Sequence, residues 1–217
     1  MCRQLACIDM RKQPTQKRAQ LTIEAIYQAT AQLVDKEGMT GLSTGKIAHK
    51  AGFSVGTIYQ YFSSKDELFR AMVKFSRETA LAEINAYLYK LESLDEPETM
   101  DVEDFIRGFL TILIDGFAFG PPFRRMVTRM CWMVENPEET AVTLQALVMR
   151  LVQFVKYIQH PHIKALSPTR CFVLSRSIIG CLRSSSLERL APEAMDELMR
   201  ALLDMVLSQL DLEREVA

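Results

Sequence analysis

The chain has 217 residues, of which 48% are hydrophobic and 24% are charged, and its net charge is −1. This length suits one large domain or two small ones that share a core. No apolar run reaches the roughly 20 residues that a membrane helix needs, and residues 1–9 lack a long apolar centre, so we expect no membrane span and no secretory signal.

Apolar residues recur every three or four positions and strand signals are weak, which predicts an all-α fold of about nine helices. Gly38 ends the first helix in a left-handed conformation, Ser43 and Ser54 cap the next two helices, and Ser64 to Glu67 matches the capping box of a long fourth helix. An acidic linker follows at 92–100. The predicted helices cover 15–37, 44–51, 55–62, 64–91, 102–119, 123–134, 138–159, 168–190 and 192–212.

Charge is distributed unevenly along the chain. Residues 1–70 hold 10 Lys/Arg and 6 Asp/Glu, whereas residues 71–217 hold 16 and 21. A basic N-terminal segment followed by an acidic remainder indicates a polyanion partner, although a chance distribution of surface charge would give the same totals. The five cysteines are an odd number without metal-like spacing, so we expect reduced thiols.

The second and third helices, joined by a tight turn at Gly52, form a predicted helix-turn-helix. The third helix is too short to contribute much to core packing, so we expect its exposed side chains to contact a partner. On a helical wheel Ile58 and Phe62 point inward. Gly56, Thr57, Gln60 and Tyr61 are placed on the opposite side, with Val55 and Tyr59 at the edge. Hydroxyl groups there, and Lys65 at the start of the fourth helix, suit phosphate oxygens.

Residues 18–69 resemble the DNA-binding domain of the tetracycline-repressor (TetR) family. The resemblance rests on Ile26, Tyr27, Ala29, Leu33, Val34, Gly38, Ile47, Ala48, Ala51, Gly52, Ser54, Gly56–Tyr59, Tyr61, Phe62, Lys65 and Leu68. It covers about a quarter of the chain, and the combined pattern is highly specific. It implies a homodimeric transcriptional regulator that is released from DNA by a small ligand in its C-terminal domain.

Specific roles follow from the resemblance. Thr44 would touch phosphate at the start of the second helix, and Lys65 would clamp phosphate. The recognition helix would present the DNA face Val55, Gly56, Thr57, Tyr59 and Tyr61. Two positions depart from the family pattern: Thr22 stands where many members have a basic residue, and Gly45 lies early in the second helix. The apolar faces of helices 8 and 9 would pair across a two-fold axis into a four-helix bundle.

Helices 5 to 7 are rich in aromatic and methionine side chains, which are suited to an adaptable apolar pocket and equally to plain core packing. The candidate ligand-binding residues are Phe105, Phe109, Met130, Trp132, Met133 and Phe154. His160 and His162 flank Pro161. This segment is either a loop that ends a helix or a metal site, and a metal site would need two further ligands. Asp115 and Glu135 either meet a cationic ligand or form ordinary surface or interhelix pairs.

The sequence thus predicts a cytoplasmic, ligand-responsive DNA-binding regulator, a repressor that acts as a homodimer on a palindromic double-stranded operator. Its effector would be a largely apolar small molecule. Residues 1–14 would form a disordered basic arm, 15–65 the helix-turn-helix domain, and 66–217 the ligand-binding and dimerisation domain. No catalytic pattern, metal site or cofactor motif is present, so no enzyme is expected. The alternative is a regulator controlled by a protein partner without a small-molecule pocket.

Overall fold

A computed structural model describes residues 17–116, 122–134, 136–161, 163 and 166–210, and this part of the chain contains nine α-helices and no strand. The all-α prediction is confirmed. The helices are α1 (Lys17–Glu37), α2 (Thr44–Ala51), α3 (Val55–Tyr61), α4 (Lys65–Glu92), α5 (Val102–Ile114), α6 (Pro122–Met133), α7 (Pro137–Ile158), α8 (Pro168–Leu187) and α9 (Met195–Gln209).

The predicted helix boundaries near the N-terminus are confirmed by their capping groups. Gly38 has φ +76° at the end of α1, where its N–H donates to the carbonyl of Val34. Ser64 accepts from the N–H of Glu67 at 3.1 Å, as a capping residue should. The Glu67 carboxylate differs from the capping-box expectation, because it accepts from the N–H and hydroxyl of Ser63, one residue earlier.

Helix α5 is α-helical as far as Ile114, the next two residues are π-helical, and residues 117–121 lie outside the described part, so its predicted end at 119 stays a prediction. Two other predicted helices are shorter in the structure. Helix α8 ends at Leu187 rather than at 190, because the chain turns at Arg189, where φ is +57°. Helix α9 begins at Met195 after a 3₁₀ turn, Pro192–Ala194, that the sequence predicted as its first turn.

The described chain forms two compact units. The first combines the N-terminal helices, through Thr79 of α4, with α6. The second begins at Ala80 and contains α5, α7, α8 and α9. Helix α4 therefore contributes to both units. The functional division at residue 65 stays a prediction.

The core of the first unit is built from every one of its helices. Ile26 of α1, Ile47 of α2, Ile58 of α3, Met72 of α4 and Met130 of α6 are each no more than 1% exposed and belong to one hydrophobic cluster. Helix α1 packs against both α2 and α6. Burial of these side chains supplies the favourable free energy that holds the short helices α2 and α3 in place.

In the second unit α5 packs against α9, and α8 packs against α7 and α9. Tyr87 of α4 lies close to α5: its hydroxyl donates to the carbonyl of Phe105 at 3.0 Å, and the two rings are stacked with centroids 6.4 Å apart. Gly108 permits this approach, because a Cβ at that position would lie 2.3 Å from the Tyr87 oxygen.

Candidate functional site

The turn between α2 and α3 is set by two capped helix ends. Gly52 has φ +76°, and its N–H donates to the carbonyls of Ala48 and His49, which closes α2. Ser54 then accepts from the N–H of Thr57 at 3.1 Å and starts α3. Ile58 and Phe62 are buried, so the predicted inward face of α3 is confirmed.

Most of the predicted DNA face of α3 is accessible. Val55 and Tyr59 are 41% and 43% exposed, and Gly56 is exposed beside them. Thr57 is half-buried, and its hydroxyl lies 3.0 Å from that of Ser54. An added Cβ at Gly56 would meet Ser54 Oγ at an ordinary 3.6 Å, so the fold itself does not require glycine there.

Tyr61 does not lie on the exposed face that the sequence predicted. It is only 7% exposed and belongs to the hydrophobic cluster of the first unit, with its ring 6.3 Å from that of Phe62. The reason is helical spacing, because Tyr61 follows the buried Ile58 by three positions and so shares its face. Any contribution of Tyr61 to DNA binding would therefore come from its hydroxyl rather than from an exposed ring.

Three of the predicted contact residues lie around the start of α2. Thr44 Oγ1 is 3.4 Å from the hydroxyl of Tyr59, which places these two groups side by side. Lys65 Nζ donates to the carbonyl of Leu42 at 3.3 Å, two residues before Thr44, and lies 6.0 Å from the centre of the Phe69 ring. Two hydroxyls thus lie at the N-terminus of α2, and an ammonium group contacts the chain two residues before it; the positive end of a helix favours an anion.

Sequence reasoning missed a second lysine near this helix end. Lys46 Nζ pairs with Glu37 Oε2 at 2.7 Å and donates to the carbonyl of Gly41 at 2.9 Å. This ammonium group lowers the pKa of the Glu37 carboxyl, first through the hydrogen bond and then through charge attraction. The spacing of Glu37 and Lys46, nine residues apart across a turn, gives no local sequence signal for such a pair.

Arg11 and Lys12, in the basic arm predicted for residues 1–14, lie outside the described residues, whereas Lys17 and Arg18 are exposed at the start of α1. Thr22, which replaces the family's basic residue, donates its hydroxyl to the carbonyl of Arg18 at 2.9 Å. It therefore caps its own helix turn and offers no charge to a phosphate.

The second unit contains a cavity of about 150 Å³ whose walls come from α5, α7, α8, α9 and the segment before α8. Two of the six predicted ligand residues, Phe105 and Phe109, line it. Phe154 is fully buried behind them, with its ring 5.1 Å from that of Phe105.

The other three candidates lie on α6, in the first unit. Met130 is fully buried in the core of that unit, Trp132 is 8% exposed, and Met133 is 54% exposed. The aromatic and methionine content of α6 therefore reflects packing in the first unit rather than the wall of this cavity. Composition alone did not separate α6 from α5 and α7.

Aliphatic residues that the sequence prediction passed over form most of the cavity wall. Leu113 of α5, Leu147 and Leu151 of α7, and Ile178 of α8 are examples. Their helical spacing marks them as an apolar face, but the same spacing marks core residues. Ile178 and its neighbour Ile179, both on the apolar side of α8, also line the cavity.

Metal binding has no support in the part of the chain that the structure describes, where no group of three or more His, Cys, Asp or Glu could hold an ion. His160 is 8% exposed, and its Nε2 lies 2.9 Å from the carbonyl oxygen of Met100. His162 and Glu135 are outside the described residues, and Asp115 is exposed. Cys131, Cys171 and Cys181, the cysteines within the described residues, form no disulfide there.

Helix α7 has 22 residues and a mean hydropathy of 1.3, so among the described helices it alone is long and apolar enough to cross a membrane. One such helix is a weak signal. Arg150, near its middle, forms a two-pronged ion pair with Glu92 of α4, with N–O distances of 2.8 and 2.9 Å.

Residues 26–72 match the model of the tetR family of bacterial regulatory proteins. The nucleoid occlusion factor SlmA of Haemophilus influenzae is 27% identical over 148 residues, which cover 68% of this chain and 63% of that protein. The chain thus spans less than two thirds of that relative. SlmA of Haemophilus ducreyi is 26% identical over 175 residues, 81% of this chain and 80% of that protein.

Solved structures with a similar fold include a putative TetR-family transcriptional regulator from Mesorhizobium loti, with a TM-score of 0.63 and 16% identity. That match covers 90% of this chain and 98% of the other. The fatty acid degradation regulator FadR from Bacillus halodurans has a TM-score of 0.60 and 16% identity, over 88% of this chain and 97% of the other. At these identities the likeness establishes the fold.

Proposed function

We propose that this chain, whose residues 26–72 match the tetR family model, is a DNA-binding repressor that leaves a palindromic operator when a small apolar molecule enters its second unit. The observation that carries the DNA half of this proposal is the cluster formed by Thr44, Tyr59 and Lys65 at the start of α2, beside the exposed face of α3. The cavity supports the ligand half.

On DNA, α3 would enter the major groove. Val55 can contact only a thymine methyl group, and Gly56 lets the DNA backbone approach the helix closely. Thr44, Thr57 and Tyr59 would hydrogen-bond phosphate oxygens, while Lys65 would exchange the Leu42 carbonyl for a phosphate. Because few of these groups read base edges, we expect phosphate contacts to supply a large share of the affinity.

Dimer formation would use the outward face of α8. Phe172 and Val173 are 59% and 54% exposed, and Gly180 and Cys181, seven and eight positions after Val173, continue the same face. Gly180 has nothing within 4 Å of an added Cβ, so a second helix could approach it closely. A two-fold dimer would set the two recognition helices about 34 Å apart, one turn of DNA, which calls for a palindrome.

Release from DNA would be a population shift between dimer conformations that differ in the spacing of the two recognition helices. The effector would favour the spacing that no longer fits the operator. Helix α4 runs unbroken from Lys65 to Glu92, so it connects a proposed phosphate contact with the unit that holds the cavity. It is therefore the element through which we expect the two sites to influence each other.

A second candidate is a DNA-binding regulator controlled by a protein partner. Two observations favour it: the relatives are named for nucleoid occlusion rather than for a small molecule, and α7 exposes Val142, Met149 and Tyr157. These three side chains are spaced seven and eight residues apart and so share one helix face. In that case DNA binding would respond to the partner and not to cavity ligands.

Selection of bound duplexes from a random DNA library, followed by gel-shift titration, tests the proposal. We expect a palindromic site and affinities in the range of about 10⁻⁸ to 10⁻¹¹ M that fall steeply with salt. Lys65→Ala should weaken binding to all duplexes alike and reduce the salt slope by about one phosphate. Lys90→Ala, in the last turn of the same helix, is the matched control and should bind as the wild type does.

Two results would reject the proposal. Failure to enrich any sequence over non-specific DNA would remove the regulator assignment, and an unchanged salt slope in Lys65→Ala would remove the assigned role of that lysine. We also expect the protein to act in the cytoplasm, with no catalytic activity of its own.

A further inference from the structure

The cavity of the second unit has the size and walls of a hydrocarbon site. Its volume is about 150 Å³, and aliphatic and phenyl side chains supply nearly all of its surface. An engineered cavity of about 150 Å³ in another protein, lined by Leu, Ile and Phe, stays dry and binds benzene or xenon. A compound of about six to eight non-hydrogen atoms would therefore fill this one.

Among the described residues, none that lines the cavity is an Asp, Glu, Lys, Arg or His. Described arginines that adjoin lining residues in sequence are engaged elsewhere: Arg107 pairs with Glu103 and Arg150 with Glu92. The Arg176 guanidinium lies 4.7 Å from the centre of the Phe172 ring and donates to Ser175 Oγ at 3.1 Å. A carboxylate or ammonium group on a ligand would lose its hydration without gaining a partner of opposite charge, which is strongly unfavourable. The walls therefore select against ionised compounds.

The two lining residues with polar side chains have partners within the protein. Ser175 Oγ donates to the carbonyl of Phe172 at 3.0 Å and accepts from Arg176. Cys171 Sγ donates weakly to the carbonyl of Leu166 at 3.8 Å, and burial raises the pKa of its thiol. A ligand therefore does not need to supply a hydrogen bond in order to satisfy a buried group.

From these three properties we infer that the ligand of the second unit is an uncharged compound, aromatic or short-chain aliphatic, of about the size of toluene. Phe105 and Phe109 offer ring faces and edges to an aromatic guest. As an account of the effector this inference rests on the proposed function, whereas the binding preference itself can be measured without DNA.

The test compares three probes of similar size on the full chain: toluene, benzoate and benzylamine. Saturable binding is measured by NMR titration and by the rise in melting temperature. We expect toluene to bind with 1:1 stoichiometry, and benzoate and benzylamine to bind about 100-fold more weakly or not at all, because each would bury an unpaired charge. Toluene that fails to saturate a site, or benzoate that binds as tightly, would overturn the inference.

A variant pair locates the site. Val148→Phe on α7 adds a ring at a lining position and should weaken toluene binding by about tenfold or more, by removing free volume. Val142→Phe makes the same change on the same helix at a residue that is 67% exposed and does not line the cavity. It should keep wild-type binding, and equal loss in both variants would contradict the site. If Val148→Phe fails to fold, the wild-type probe comparison still decides the ligand class.

Operator binding in the presence of toluene separates this inference from the proposed function. Toluene that binds the cavity and leaves the operator complex intact would support the ligand class and count against ligand-driven release. If toluene displaces the operator, and does so only from those variants that bind toluene in the titration without DNA, the result would support both the ligand class and ligand-driven release.

Discussion

Gly108→Ala gives a direct test of how α4 and α5 fit together. Glycine in a helix interior is normally the weaker choice, so the change alone would raise stability by about 1 kcal/mol. Here the new Cβ would lie 2.3 Å from the Tyr87 oxygen, 2.8 Å from Cζ and 3.2 Å from Cε2. These distances are well inside van der Waals contact, so the tyrosine ring or the helix must move.

The expected magnitude follows from three contributions. Overpacking costs about 1 to 3 kcal/mol, and displacement of the Tyr87 hydroxyl from the Phe105 carbonyl costs about 1 kcal/mol more. Helix propensity returns about 1 kcal/mol. We therefore expect Gly108→Ala to lower the free energy of unfolding by about 2 kcal/mol, measured by urea denaturation with circular dichroism.

The same substitution in a Tyr87→Ala variant tests whether the close contact with Tyr87 causes the loss of stability. The three atoms nearest to the added Cβ all belong to Tyr87, so in a Tyr87→Ala background the same substitution should be stabilising by about 1 kcal/mol. The coupling between the two positions would then be about 3 kcal/mol, the upper end of what neighbouring residues show. Equal effects of Gly108→Ala in both backgrounds would show that the close approach does not govern the energetics.

Three further changes probe the first unit. Tyr27→Phe should raise the free energy of unfolding by about 1 kcal/mol, because the buried Tyr27 hydroxyl has no hydrogen-bond partner among the described residues; lower stability would indicate a hidden partner. Tyr61→Ala should cost about 3 to 5 kcal/mol as a core truncation, while Tyr61→Phe should keep stability and lose DNA affinity only if the hydroxyl contacts phosphate. The pKa of Glu37 is lowered by Lys46, so its contribution is present above its unfolded pKa and is lost as pH falls through the lower folded pKa. The stability difference between wild type and Glu37→Gln should therefore be larger at pH 7 than at pH 3, and a difference that grows on acidification would contradict the pairing.

The sequence was most informative where local chemistry decides structure. The caps at Ser43 and Ser54, the left-handed Gly38 and the turn at Gly52 were all predicted, because each depends on one side chain or one backbone conformation. These features placed the turn between α2 and α3 correctly. The family resemblance then supplied the roles of the residues on that surface, which remain proposals.

Long-range packing was not accessible in this way. Tyr61 was placed outside because its neighbours on the wheel are polar, whereas the core it joins includes α6, about 70 residues later in the chain. Met130 and Trp132 were assigned to a pocket because apolar residues on different helices look alike until their partners are known. The cavity itself is bounded by common aliphatic residues, whose spacing does not distinguish a wall from a filled core.

The participation of α6 in the first unit limits how the proposed DNA-binding helices α1 to α3 can be transferred to another protein. Val127 and Met130 complete a core that α1 to α4 begin, and an ion pair from Arg129 to Asp35 ties α6 to α1. A fragment cut after α3 would expose this apolar surface to water and should be prone to misfold or aggregate. A chimaera that grafts these helices onto another regulator would therefore have to carry α6 with it, so the transferable module is discontinuous in sequence.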